Sequence, residues 1–219
     1  MVEDGNRDFN LQNDSRVAVV GGGPAGSFFA YFLMKMARAI DLEIEVDIFE
    51  PRSFSHCGPA GCNHCGGVVS ESLVQILSAE GIVLPKGVVQ RGIVSYVVHM
   101  DVGDVTIDRP VHEQRIAAVY RGNGPREGGD ASLESFDGYL QDMAVNGGAR
   151  VVRKLITGVQ DRNGMPELQF ADGGMETYDL LAVASGVNSN FVKLLDDVPG
   201  DYQPPKTTRG YICEYRMTE

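Results

Sequence analysis

The chain has 219 residues with 19 basic against 30 acidic side chains, a net charge of −11, and 43% hydrophobic residues. That composition suits one globular domain, or one large domain with an insertion, and excludes general disorder. It also argues against a nucleic-acid binder, whose affinity rests on clustered Lys and Arg. No apolar run approaches the roughly 20 residues needed to span a bilayer, so no transmembrane segment is expected. Residues 1–14 are polar and acidic, unlike a signal or transit peptide, and read with Ser15 as a disordered tail. Glycine is in excess, 27 residues in all. Turns and close backbone approaches must account for the surplus. The four cysteines stand at 57, 62, 65 and 213, three of them clustered, unlike a secreted disulfide scaffold. A reducing, cytoplasmic setting is the expectation.

Residues 16–20 form a short apolar run of strand formers, the pattern of a buried parallel strand. The run passes directly into Gly21-Gly22-Gly23-Pro24-Ala25-Gly26. Pro24 suits a first helical turn, where its missing N–H is not needed. The helix continues to about Arg38, apolar around most of its circumference, and should be buried on several sides. Residues 44–49 alternate as a second strand and end at Glu50-Pro51-Arg52. A polar loop rich in Cys and Gly covers 53–67, followed by a helix with Ser70 as N-cap and Gly81 as its stop.

Residues 93–100 and 105–107 predict an antiparallel pair, with 116–120 as a third strand. A Gly-rich loop (122–129) leads to a helix over about 133–145, stopped by Gly147-Gly148. Short strands are predicted over 149–153, 155–159, 168–170 and 175–178, with turns at Asn163-Gly164 and Asp172-Gly173. Residues 180–184 read as another buried strand, 188–195 as a short helix and 210–216 as a last strand.

Gly21-x-Gly23-x-x-Gly26 gains its meaning from context. It follows a strand, opens a helix, and is answered 24 positions later by Glu50 at the end of a second strand. In such a unit one glycine permits the tight turn and one lets backbone approach a pyrophosphate. The third lets helix pack on strand. The helix N-terminus offers free N–H groups to the phosphates. Glu50 can accept the ribose hydroxyls. The motif alone leaves FAD and NAD both open.

The order of the later segments resembles FAD-dependent oxidoreductases of the geranylgeranyl reductase and p-hydroxybenzoate hydroxylase type, over about residues 16–219. Residues 17–26 are similar to their first fingerprint, and Glu50-Pro51-Arg52 to their acidic ribose ligand. Cys65-Gly66-Gly67-Val68-Val69-Ser70 resembles a reductase loop that passes near the flavin. Phe136-Asp137-x-x-Leu140, with Ala144 and Gly147-Gly148-Ala149, is similar to the family's helix-to-strand passage. The run from Asp179 to Ser189 resembles the segment returning beneath the FAD.

The resemblance implies an α/β Rossmann-like FAD-binding domain, a parallel sheet with a βαβ start and a β-meander, and an inserted antiparallel substrate sheet. The expected division gives residues 16–92 and 123–199 to the nucleotide domain, and 93–122 with 200–219 to a substrate-binding part. The implied cofactor ligands are Gly21, Gly22, Gly23, Pro24, Ala25, Gly26, Glu50, Pro51, Arg52, Cys65, Gly66, Gly67, Ser185 and Gly186. Arg121 is the nearest stand-in for the family's Arg before its Phe-Asp helix. The implied activity is flavin-mediated hydride or electron transfer, with NAD(P)H as candidate electron donor and a small apolar molecule as substrate. Transient membrane contact is left open.

Two departures matter. Ala184-Ser185-Gly186 stands where the family has Ala-Asp-Gly, which favours a reductase over a hydroxylase. The family's later Gly-Asp segment is absent, so a C-terminally truncated chain, inactive as it stands, is expected.

The loop Cys57-x4-Cys62-x2-Cys65, flanked by His56 and His64, admits other readings. It can pack over the flavin with Cys65 near the ring, or carry a redox-active pair. As the alternative function, it ligates a metal or iron–sulfur cluster, with a fourth ligand from His56, His64 or Cys213. His99, His112 and the tyrosines at 96, 120, 211 and 215 are weaker candidates for a substrate pocket. No catalytic triad or carboxylate pair is legible; a flavin needs from its protein mainly binding, orientation and tuning.

Overall fold

The computed structural model describes residues 10–54, 67–108, 116–121, 134–187, 189–195 and 205–208. In chain order the elements are β1 (Ser15–Val20), α1 (Pro24–Ala39), β2 (Ile44–Phe49), β3 (Val68–Val69), α2 (Glu71–Ala79), β4 (Val89–Ile93), β5 (Ser95–Met100) and β6 (Gly103–Asp108). After them come β7 (Ile116–Val119), α3 (Phe136–Asn146), β8 (Arg150–Val152), β9 (Ile156–Arg162), β10 (Met165–Phe170), β11 (Met175–Thr177) and β12 (Leu180–Val183). A 3-10 helix (Asn190–Leu195) follows. The chain divides into two compact units, one of residues 1–52 with 140–207, the other of 53–139 with 208–219.

The first unit is α/β. Its parallel sheet has the strand order β12-β1-β2-β8. Register along β1 runs from Ser15 opposite Ile44 to Val20 opposite Phe49, and from Val17 opposite Leu180 to Val20 opposite Val183. β1 is one of the two interior strands of this sheet and is apolar on both faces because both are covered. Val17 and Val19 pack with Ala30 and Met34 of α1, Val46 and Ile48 of β2, and Ala144 of α3. Ala18 and Val20 face the opposite way, onto Phe49, Leu168, Phe170 and Tyr178. That second layer is the antiparallel meander β9-β10-β11. Its β9–β10 turn is Asn163-Gly164, both at positive φ, as a tight hairpin turn requires.

Several expectations need correction. α1 is buried along one stripe of small and slender residues, Gly26, Ser27, Ala30, Met34 and Ala37. Phe29, Met36 and Ile40 on its outer side are exposed, so apolar content overstated how many faces are covered. β12 is half-buried, since among the described strands it pairs with β1 alone. The chain before β1 is tied down from Gln12 onward. Asp14 N–H donates to the Glu43 carbonyl, and Asn13 accepts from Glu43 N–H.

In the second unit α2 begins as expected, with Ser70 Oγ accepting from Leu73 N–H at 3.4 Å, and Gly81 follows it at φ +78°. The stretch predicted as one strand over 93–100 is two. β4 pairs with β7 in the sheet β3-β7-β4, and after a break at Val94, β5 pairs with β6 in a separate ribbon. The 116–120 strand therefore belongs beside β3 and β4. Alternation gives the ribbon one apolar face of Tyr96, Val98 and Met100 opposite Ile107, Val105 and Gly103. No described helix is long and apolar enough to cross a membrane.

Candidate functional site

The site lies in the first unit, at the C-terminal ends of β1 and β2. β1 is where the strand order reverses, with β2 reached on one side and β12 on the other. Open α/β sheets bind ligands outside the carboxyl ends of the strands at such a point.

Leaving β1, Gly21 takes φ +103° while its N–H donates to the Phe49 carbonyl at 2.9 Å. A Cβ on Gly21 would stand 2.4 Å from the Ala184 carbonyl oxygen and 2.9 Å from Ser185 Cα. The strand end that carries Ser185 and Gly186 is thus brought against the turn, and only glycine permits it. Gly23 is the N-cap residue, without a side chain to cap the helix, and Pro24 follows at the first helical position. Early amides of α1 therefore point outward without a side-chain cap, the arrangement that receives an anion. Gly26 sits in the first turn of α1, where a Cβ would be 1.8 Å from the Gly21 carbonyl oxygen. Its role is the close seating of helix on strand. Ser27, fully buried, locks the turn by donating its hydroxyl to the Gly22 carbonyl at 2.9 Å.

Glu50 leaves the end of β2 and is 3% exposed. Its Oε2 accepts from Gly22 N–H at 3.1 Å; its Oε1 accepts from Arg52 N–H at 3.0 Å and Arg52 Nε at 3.1 Å. Arg52 Nη2 reaches Oε2 at 3.4 Å. The glycine turn and the acid thus touch directly. Pro51 lies between the acid and its arginine, exposed to solvent.

Sequence reasoning missed two residues of this cluster. Arg153, just past β8, donates from Nη1 to the carbonyls of Glu50, at 2.9 Å, and of Arg52. Its Nη2 donates to Gln141 Oε1 at 2.8 Å, and Gln141 Nε2 reaches the Gly22 carbonyl at 3.4 Å. Gln141 and Arg153 form a brace between the glycine turn and the acid-bearing turn. One signal could have found Arg153: a polar residue at the end of a parallel strand lies on the edge where such sheets bind ligands.

Gly67 and Arg121 belong to the second unit. Gly67, at φ +70°, accepts from Val119 N–H at 2.7 Å. Arg121 grips Asp137 with both Nε, at 2.7 Å, and Nη2, at 2.6 Å, and Asp137 is 1% exposed. Tyr120 is buried; Tyr96 lies on the apolar face of the ribbon, and His99, on the other face, pairs with Asp104 at 2.7 Å. Cys57, Cys62, Cys65, His56, His64, Gly66, His112, Tyr211, Cys213, Tyr215, the loop 122–129 and the strand expected over 210–216 lie outside the described residues. Among the described residues no three His, Cys, Asp or Glu side chains converge as a metal site would require.

The fold is shared with solved enzymes of low identity. The Diels-Alderase PyrE3 of pyrroindomycin biosynthesis matches with a TM-score of 0.58 at 16% identity, over 84% of this chain and 35% of its own. The halogenase PltM, in a structure with phloroglucinol and FAD, matches at 0.56 and 12%, over 83% and 36%. FqzB matches at 0.54 and 15%, over 85% and 39%. The chain therefore spans a little over a third of the length of these proteins. No protein-family model matches it, and no curated protein does.

Proposed function

We propose that this chain is the nucleotide-binding portion of an FAD-dependent oxidoreductase. One observation carries the reading: the bare turn Gly21–Gly26 abuts both a buried acid, Glu50, and the end of β12. The strand order β12-β1-β2-β8 corresponds to four of the six strands of a Rossmann-like sheet, order 3-2-1-4. The residues fit the group. A Cβ at Gly22 would collide with Glu50 and Gln141, so the approach to the acid depends on glycine there. In this reading the amides opening α1 hold the diphosphate, Glu50 the adenosine ribose, and the backbone of Ala184 and Ser185 borders the same turn.

When bound, FAD would supply the hydride or electron transfer; the protein's part here is to seat it. Ser185 in place of an Asp supports a reductase over a hydroxylase. The likeness of residues 65–70 to a reductase loop supports an apolar small-molecule substrate, for which the ribbon face of Tyr96, Val98 and Ile107 is chemically suited.

Isothermal titration of the chain with FAD and with ADP tests the reading. Binding of both, weakened at least about tenfold by Glu50→Gln, is expected, since a ligand hydroxyl loses a charged acceptor. A folded chain that takes up neither FAD nor ADP overturns it.

A further inference from the structure

We infer that the Arg52 side chain occupies the ribose subsite as an internal stand-in for the nucleotide's diol, and so sets the affinity of the site. The inference rests on the dinucleotide reading and adds a control element to it.

An ionised carboxylate accepts about four hydrogen bonds. Glu50 already has that number of donors: Gly22 N–H and Arg52 N–H from the backbone, Nε and Nη2 from the Arg52 guanidinium. A ribose diol brings two donors and can be accepted only where two others leave. The backbone donors are fixed. Gly22 is held by the turn into α1, and the Glu50-Pro51-Arg52 backbone is gripped by Arg153 through the carbonyls of Glu50 and Arg52. The guanidinium donors are the ones able to move. They put one nitrogen on each carboxylate oxygen, as two vicinal hydroxyls would.

Burial favours the exchange. The Glu50 side chain is 5% exposed and the Arg52 side chain 52%. A buried carboxylate that loses half of its donors is destabilised, which gives the Arg52 guanidinium a role beside the two backbone amides. A half-exposed guanidinium recovers hydration where it turns outward, which offsets part of what it loses on leaving Glu50. The result is a competition between a tethered cation and an incoming diol for one acid.

The test compares ADP binding by isothermal titration for the full chain and its Arg52→Ala and Arg52→Met variants, with circular dichroism confirming that each is folded. Met keeps much of the aliphatic stem and removes the fork. Both variants should bind ADP more tightly, by about two- to fivefold, the range expected for removing a partly exposed charged competitor. Affinity equal to or weaker than that of the unaltered chain in both variants overturns the proposal, because Arg52 then either idles or contacts the ligand. If neither the unaltered chain nor the variants bind ADP, the dinucleotide reading itself has failed.

Discussion

Gly26→Ala separates the architectural part of the glycine turn from its binding part. The added Cβ would lie 1.8 Å from the Gly21 carbonyl oxygen and 3.2 Å from Val19 Cγ1. Real Cβ contacts stay beyond 3.0 Å, so the gap must open by about 1.2 Å. The obstacle is backbone on both sides, and no rotamer relieves it. α1 has to lift from β1, loosening Ala30 and Met34 from Val17 and Val19. Overpacking of this kind costs about 1–3 kcal/mol, and with rigid neighbours the upper end applies, roughly 3 kcal/mol. That is a large share of a net stability of about 5–15 kcal/mol. At Gly22 the same Cβ meets Gln141 Nε2 at 2.4 Å and Glu50 Cβ at 2.7 Å, which are side-chain atoms. Gly22→Ala should therefore cost less stability, about 1–2 kcal/mol, and act chiefly by displacing the acid. Urea unfolding followed by circular dichroism, paired with ADP titration, reads both quantities. Gly26→Ala should lower the urea midpoint more than Gly22→Ala, and both should weaken ADP. A Gly26→Ala variant as stable as the unaltered chain would refute the close seating of α1 on β1.

Three further predictions concern the charged cluster between the parallel sheet and the meander. Tyr178 donates to Asp47 Oδ2 at 3.0 Å and also lies 3.0 Å from Glu176, while Arg150 holds Asp47 through Nε and Nη2 at 2.8 and 2.9 Å. Asp47 is 2% exposed, so Tyr178→Phe should cost about 1–3 kcal/mol by urea unfolding, the range for a lost partner of a buried polar group. Burial, and next the Asp47 charge, push the Tyr178 phenol above its ordinary 10.0, so the folded state favours the neutral ring. The stability it contributes is present below about pH 10 and declines as pH rises past that, where the unfolded chain ionises first. Unfolding midpoints measured from pH 8 to 11 should fall more steeply for the unaltered chain than for Tyr178→Phe. Glu176 shifts the opposite way, held below its ordinary 4.5 chiefly by the Arg16 hydrogen bond. Its contribution is present above about pH 4.5 and is lost as pH falls through the lower folded value. Glu176→Gln should flatten the acid limb.

The legible parts of the molecule are those whose causes are local. β1, the glycine turn, α1 and β2 follow one another without interruption, and strand periodicity, Pro24 and the glycine spacing all report on neighbours a few residues away. Ser70 and Gly81 bracket α2 for the same reason. What escaped was set by distant pairing. The break at Val94 arises because β4 joins β7 while β5 joins β6, a choice that an apolar run does not encode. α1 reads as buried on several sides because apolar residues do not announce how many faces will find cover. Gln141 and Arg153 meet Gly22 and Glu50 across 119 and 103 residues of chain. No spacing rule joins them.

Arg52 is the instructive middle case. It stands two positions from Glu50, within the same quoted motif, and was legible as part of the acid's surroundings. Its sense of action was not, because a motif shows which residues are near an acid without showing how many donors the acid already has. In the competition inferred above, the donors already on Glu50 make Arg52 a rival of the nucleotide rather than its helper. Four donors keep this buried carboxylate satisfied at the end of β2, and two of them belong to the Arg52 guanidinium.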